Sequence, residues 1–83
     1  MDFKEGAVGE VIRQCRIEKN MTQEVLSGFA AIGRTHLSMI ERGQREPTFE
    51  IIWQIAIALD MQPHELVMRI EEEAGKYDGK SIL

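Results

Sequence analysis

The chain has one cysteine, two prolines and one tryptophan in 83 residues. A lone thiol, Cys15, cannot form an internal disulfide, so the fold is not a disulfide scaffold and the expected compartment is the cytoplasm. Cys15 reads as a small core residue rather than a redox sensor. No apolar run approaches the roughly 20 residues of a membrane-spanning helix. Residues 1–9 lack the basic start and apolar stretch of a signal peptide. Alternating β-branched runs are missing, which leaves no candidate strand. Catalytic and metal signatures are missing as well. His36 and His64 stand too far apart for ligand spacing. Glu71, Glu72 and Glu73 are consecutive, so they point different ways on a helix, as on a solvated face. There is no glycine-rich phosphate loop and no nucleophile motif. Neither a cofactor, a metal nor an enzymatic activity is expected.

What is present is helical punctuation. The hydrophobic content of 43% fits a folded domain rather than a disordered chain. A core this small is marginal alone, and oligomerisation would help it. After a frayed start over residues 2–6, a first helix is expected over 7–20, burying Val8, Val11, Ile12 and Cys15 and ending at Asn20. Thr22 can cap a second helix over 23–29, with Val25, Leu26 and Phe29 as its apolar stripe. Gly28 inside it costs about 1 kcal/mol against Ala. Residues 30–33 are small and uncharged, as a tight corner needs. A third helix over 34–42 buries Leu37 and Ile40 and ends at Gly43. A polar loop over 44–47 follows. Thr48 then caps a fourth helix over 49–59, with Phe49, Ile52, Ile55, Ala56 and Leu59 as its core. Pro63 opens a fifth, to about residue 73, burying Leu66 and Ile70. The reading is an all-α, compact five-helix bundle: one domain over 1–73 and a mobile tail over 74–83.

Residues 22–43 read TQEVLSGFAAIGRTHLSMIERG. The runs T-Q-E-x-L-S, A-A-I-G-R-T-H-L-S-x-I-E-R-G and, further on, P-T-F resemble the Cro and lambda-repressor type of helix-turn-helix DNA-binding protein (XRE-like). The resemblance covers roughly residues 8–66, and R-T-H-L-S-x-I-E-R-G is also similar to the small controller proteins of restriction–modification systems. Two positions depart from the pattern: Ala31 where Gly is usual in the turn, and Gly33 where Ser or Asp usually caps the recognition helix.

The resemblance implies a lambda-repressor-like fold whose motif spans 22–43. The third helix then enters the major groove while the second crosses the backbone. Arg34 and Thr35, at the start of that helix, are the expected base readers, with a solvated charge or a phosphate contact as the rival role of Arg34; Ser38 and Met39 lie one turn on, Met39 with packing as its rival role. Expected phosphate contacts are Thr22, Gln23, His36, Arg42, Gln44 and Arg45, with plain surface roles as the competing reading for the last three. By family position, Arg16 and Glu41 form a buried ion pair. Trp53 and Ile57 on the fourth helix and Val67 and Met68 on the fifth add apolar surface for a homodimer.

The net charge of −4 divides unevenly. Residues 1–46 carry seven Lys or Arg and seven acids; residues 47–83 carry three and seven. The acidic excess thus falls outside the motif, and binding depends on which charges face the phosphates. The expected function is a transcriptional regulator that binds operator DNA as a homodimer, with RNA polymerase as a further partner and no membrane association. The alternative is an antitoxin on the same fold, with a toxin as its partner.

Overall fold

The computed structural model describes residues 3–75 and contains five helices: α1 (Ala7–Glu18), α2 (Gln23–Ala30), α3 (Arg34–Glu41), α4 (Phe49–Ala58) and α5 (Pro63–Gly75). No strand occurs among the described residues. The helix starts follow local chemistry. Thr22 and Thr48 sit in extended backbone, and each hydroxyl oxygen accepts from the N–H three residues on, Val25 at 3.0 Å and Ile51 at 3.2 Å. At α5 the Glu65 carboxylate reaches back to the Gln62 N–H at 2.8 Å, the reverse arm of a capping box. α3 starts differently: Gly33 has no side chain to cap it.

Four helices end in the same hydrogen-bonded loop. Asn20, Ala31, Gly43 and Asp60 take positive φ, at 58°, 60°, 75° and 60°. The residue after each donates to a carbonyl five positions back, as from Met21 to Arg16 and from Ile32 to Ser27. This arrangement satisfies carbonyls that the helix end leaves free. Gly43 suits the conformation; Ala31 adopts it against the steric preference of a Cβ.

α1 packs on α3 and α5, and α2 on α3 and α4. Ile12, Leu26, Leu37, Ile55 and Leu66 are fully enclosed where these helices meet. Val8, Val11 and Cys15 complete the inner stripe of α1. Burial pushes the Cys15 thiol up from its ordinary pKa.

Several expectations give way. Of Val25, Leu26 and Phe29 only Leu26 is buried; Phe29 is 69% exposed. The inner side of α2 is Leu26, Ser27 and Ala30. Val25 and Phe29 share the i, i+4 spacing of Leu26 and Ala30, so spacing alone fits both lines, and the smaller pair occupies the crowded one. In α4, Phe49 is 63% exposed and meets Trp53 edge-to-face, with ring centroids 6.2 Å apart, while Ile51 packs against the core alongside Ile52. Glu73 is not on a solvated face. It lies one turn from Ile70 on the buried side of α5, and its carboxylate meets Lys4 Nζ at 2.8 Å. Residues 4–6 accordingly form a turn rather than a frayed start, with the Lys4 carbonyl accepting from Ala7. α1 ends before residue 20, and α5 continues past residue 73, with Ala74 buried. The rest of the expected tail, residues 76–83, lies outside the described residues.

Candidate nucleic-acid interface

α3 divides into two faces. Leu37, Ile40 and Glu41 point into the protein, while Arg34, Thr35 and Arg42 are exposed and Ser38 and Met39 are half-buried. At about 100° per residue, Arg34, Ser38, Arg42, Thr35 and Met39 share one continuous outward arc. His36 is half-buried and falls outside that arc, beside Ile40. An outward arc of this kind, on a helix seated over a rigid core, fits a groove wide enough for one helix.

Among the described residues, the arginines on this side make no ion pair. None of the three ion pairs among the described residues uses Arg34, Arg42 or Arg45. Arg42 curls back so that its Nε donates to the Ser38 carbonyl at 3.4 Å, which leaves its terminal nitrogens outward. Gln44 and Arg45 are exposed in the loop beyond. The pairing of Lys4 with Glu73 and of Arg69 with Glu18 lies on α1 and α5 instead. With Glu41 paired to Arg16, the stretch from α3 into the following loop, residues 34–46, sets Arg34, Arg42 and Arg45 against Glu46 alone.

Beneath that surface lies an ion pair. Arg16 Nε and Nη2 donate to the two oxygens of Glu41 at 2.7 and 3.0 Å. Arg16 Nη1 donates to the Met21 carbonyl at 2.8 Å. The Arg16 and Glu41 side chains are 14% and 2% exposed. Such a fork-to-fork pair fixes α1 against α3, and removing either partner would strand the other at a cost of about 3–5 kcal/mol. Gln23, the first residue of α2, joins it: its Nε2 donates to Glu41 Oε1 at 3.1 Å. Thr22 is exposed at the same corner, its hydroxyl oxygen accepting from the Val25 N–H as the cap.

A helix-turn-helix family model (HTH_3) matches residues 12–66. The chain belongs to the helix-turn-helix family. Control protein C.BamHI of Bacillus amyloliquefaciens is 42% identical over 60 residues, covering 71% of this chain and 74% of that protein. Among solved structures, the restriction–modification controller C.AhdI from Aeromonas hydrophila superposes with a TM-score of 0.70 at 35% identity, over 72% of this chain and 91% of that one. The controller C.Esp1396I, solved as a tetramer in complex with its natural 35 base-pair operator, gives 0.79 at 32% identity, over 86% and 93%. This helix-turn-helix chain is a DNA-binding transcriptional regulator of the controller or repressor type.

Within the helix-turn-helix frame, two supports for the motif have no signature in the sequence. Gln54 on α4 donates from Nε2 to the Ala30 carbonyl at 2.9 Å, closing the end of α2 from outside the motif. Gly9 lets α1 lie directly against the Ile40 and Glu41 carbonyls at the end of α3. No spacing announces either, because both are contacts between distant segments. The apolar residues expected at a dimer face are all exposed: Trp53 51%, Ile57 59%, Val67 38% and Met68 49%. Phe49, Trp53 and Ile57 form one line along α4. Ile57 and Met68 flank neighbouring shallow grooves that share Asp60, Met61 and Glu65. Val67 lies about 100° around α5 from Met68, so the two do not share one edge. No described helix is long and apolar enough to cross a membrane.

Proposed function

We propose that the chain is a sequence-specific regulator that binds operator DNA as a homodimer, with α3 in the major groove. The observation that carries this reading is the outward arc of α3, rich in hydrogen-bonding side chains and flanked by arginines that make no ion pair among the described residues. Arg34 and Thr35 read base edges near the helix start, Arg34 through two parallel bonds to a guanine; Ser38 and Met39 meet the next base pairs. Thr22, Gln23, Arg42, Gln44 and Arg45 hold phosphates on either side, and His36 is the marginal member, beside the backbone. C.Esp1396I, bound to its operator in a solved complex, supports DNA as the partner.

Dimer formation uses the exposed apolar line of α4, Phe49, Trp53 and Ile57, together with Val67 and Met68 of α5. Two-fold symmetry would set the two recognition helices in successive major grooves, with half-site centres about 10 bp apart or a multiple of that. In vitro selection of binding duplexes with the full chain, followed by footprinting, tests the reading. Recovered sites should be two-fold related at that spacing. Ile57→Glu, alone and with Val67→Glu, should convert the dimer to monomer in sedimentation at low micromolar concentration and abolish footprinting. A double variant that stays dimeric rules this face out. Selection that enriches no sequence, alongside a stoichiometric protein partner on purification from the native host, would favour a protein-neutralising role instead.

A further inference from the structure

We infer that Glu41 is a positioning residue for DNA binding, holding the Gln23 side-chain amide so that it offers an N–H to a phosphate. This rests on the phosphate contact proposed for Gln23. Gln23 opens α2 and donates from Nε2 to Glu41 Oε1 at 3.1 Å. An ionised carboxylate can only accept, so the amide must turn its nitrogen, not its oxygen, toward Glu41. One of the two amide hydrogens is used there, and the other remains for a ligand at the helix start.

Glu41 is itself held still. Both oxygens are occupied by Arg16, whose remaining arm grips the Met21 carbonyl immediately before α2. The carboxylate is 2% exposed and faces a guanidinium, so it neither touches DNA nor repels it. Three helices therefore converge on one amide: α1 through Arg16, α3 through Glu41 and α2 through Gln23. Without Glu41, rotation about the last bond of Gln23 would turn the carbonyl oxygen outward, where it faces a phosphate with no hydrogen to give.

Four full-length proteins test this: wild type, Gln23→Met, the paired exchange Arg16→Met with Glu41→Met, and all three substitutions together. Apolar residues often replace a buried ion pair without loss of stability. Glu41→Gln, run through the same cycle, covers a failure of the methionine pair to fold. Each variant is checked by circular dichroism and measured well below its Tm, by fluorescence anisotropy on a selected duplex and a scrambled one. Gln23→Met should weaken both duplexes roughly tenfold per half-site. The salt slope should stay unchanged, because a neutral amide releases no counterion. The paired exchange should lose at least as much, and adding Gln23→Met to it should cost nothing further. A triple variant whose loss is the product of the two separate losses overturns the positioning role, as does a paired exchange that lowers Tm but binds like wild type. Undiminished binding by Gln23→Met alone overturns the phosphate contact and the positioning role together.

Discussion

Gly9 of α1 lies so close to the Ile40 carbonyl of α3 that a Cβ at position 9 would overlap that oxygen, and would also come within 3.0 Å of the Glu41 carbonyl. Both obstacles are backbone, at the end of the recognition helix, so neither can swing aside like a side-chain tip. The ion pair from Arg16 to Glu41 fastens the same two helices two turns further along α1.

Gly9→Ala should therefore destabilise the protein by about 1–3 kcal/mol, as overpacking does, despite the better helix propensity of Ala. Gly28→Ala is the control. It sits on the exposed side of α2 with no heavy atom within 4 Å of an added Cβ, and should raise stability by up to about 1 kcal/mol. Thermal melts of the two variants should move in opposite directions. DNA affinity should fall in the first, where α3 is displaced, and hold in the second.

Ala31→Gly should stabilise the protein. Ala31 stands at φ 60° and ψ 39°, a region that costs an L-residue roughly 1–2 kcal/mol, while glycine adds unfolded-state entropy of about 0.4–1 kcal/mol. The net gain in urea denaturation should lie between zero and about 1.6 kcal/mol, with the slope unchanged. A drop in stability would mean that the Ala31 methyl packs against something that compensates for its backbone strain.

Arg34 and Arg45 should separate by thermodynamic signature. Arg34→Ala should lose about 1–3 kcal/mol on a selected duplex and relax preference at one base pair per half-site. Arg45→Ala should weaken selected and scrambled duplexes alike and lower the salt slope by about one for each phosphate no longer neutralised. Titrations at several salt concentrations read both. Equal weakening of the two duplexes by Arg34→Ala would place Arg34 on a phosphate.

Acid should loosen the join between α1 and α5. Arg69 donates to both oxygens of Glu18 at 2.8 and 2.9 Å, and these hydrogen bonds lower the Glu18 pKa from its ordinary value. A carboxyl with a lower pKa folded than unfolded adds stability above its unfolded pKa, and loses it as pH falls through the folded one. Glu18→Gln should flatten the fall of Tm below about pH 4.3, an effect kept small by exposure and reduced further by salt. An unchanged acid limb would show that this pair adds nothing.

Features set by neighbours in the chain were legible in the sequence. Thr22 and Thr48 cap because a hydroxyl reaches an N–H three residues on, and Asn20 and Gly43 end helices through backbone preferences of their own. The inner stripe of α1 follows from its spacing. What escaped depends on distant chain. Nothing local distinguishes Val25 and Phe29 from Leu26 and Ala30, and only the helices across the core decide which line is buried. Glu73 looks solvated until α5 is laid against Lys4. The site was visible as residue types and helix position, whereas the link from Gln23 to Glu41 joins side chains from two helices.

The corner between α2 and α3 is a wound joint with no slack. The N–H groups of Ala31 and Ile32 are both bonded to carbonyls of α2, and Gln54 pins the Ala30 carbonyl from the side. One residue inserted there would screw α3 about 100° around its axis, turning Arg34 and Thr35 off the outward face while leaving composition and charge almost unchanged. An insertion past Arg45, beyond the bond from the Gln44 N–H to the Met39 carbonyl that closes α3, meets no such constraint. The motif thus behaves as a keyed coupling: lengthening is harmless beside it and ruinous within it.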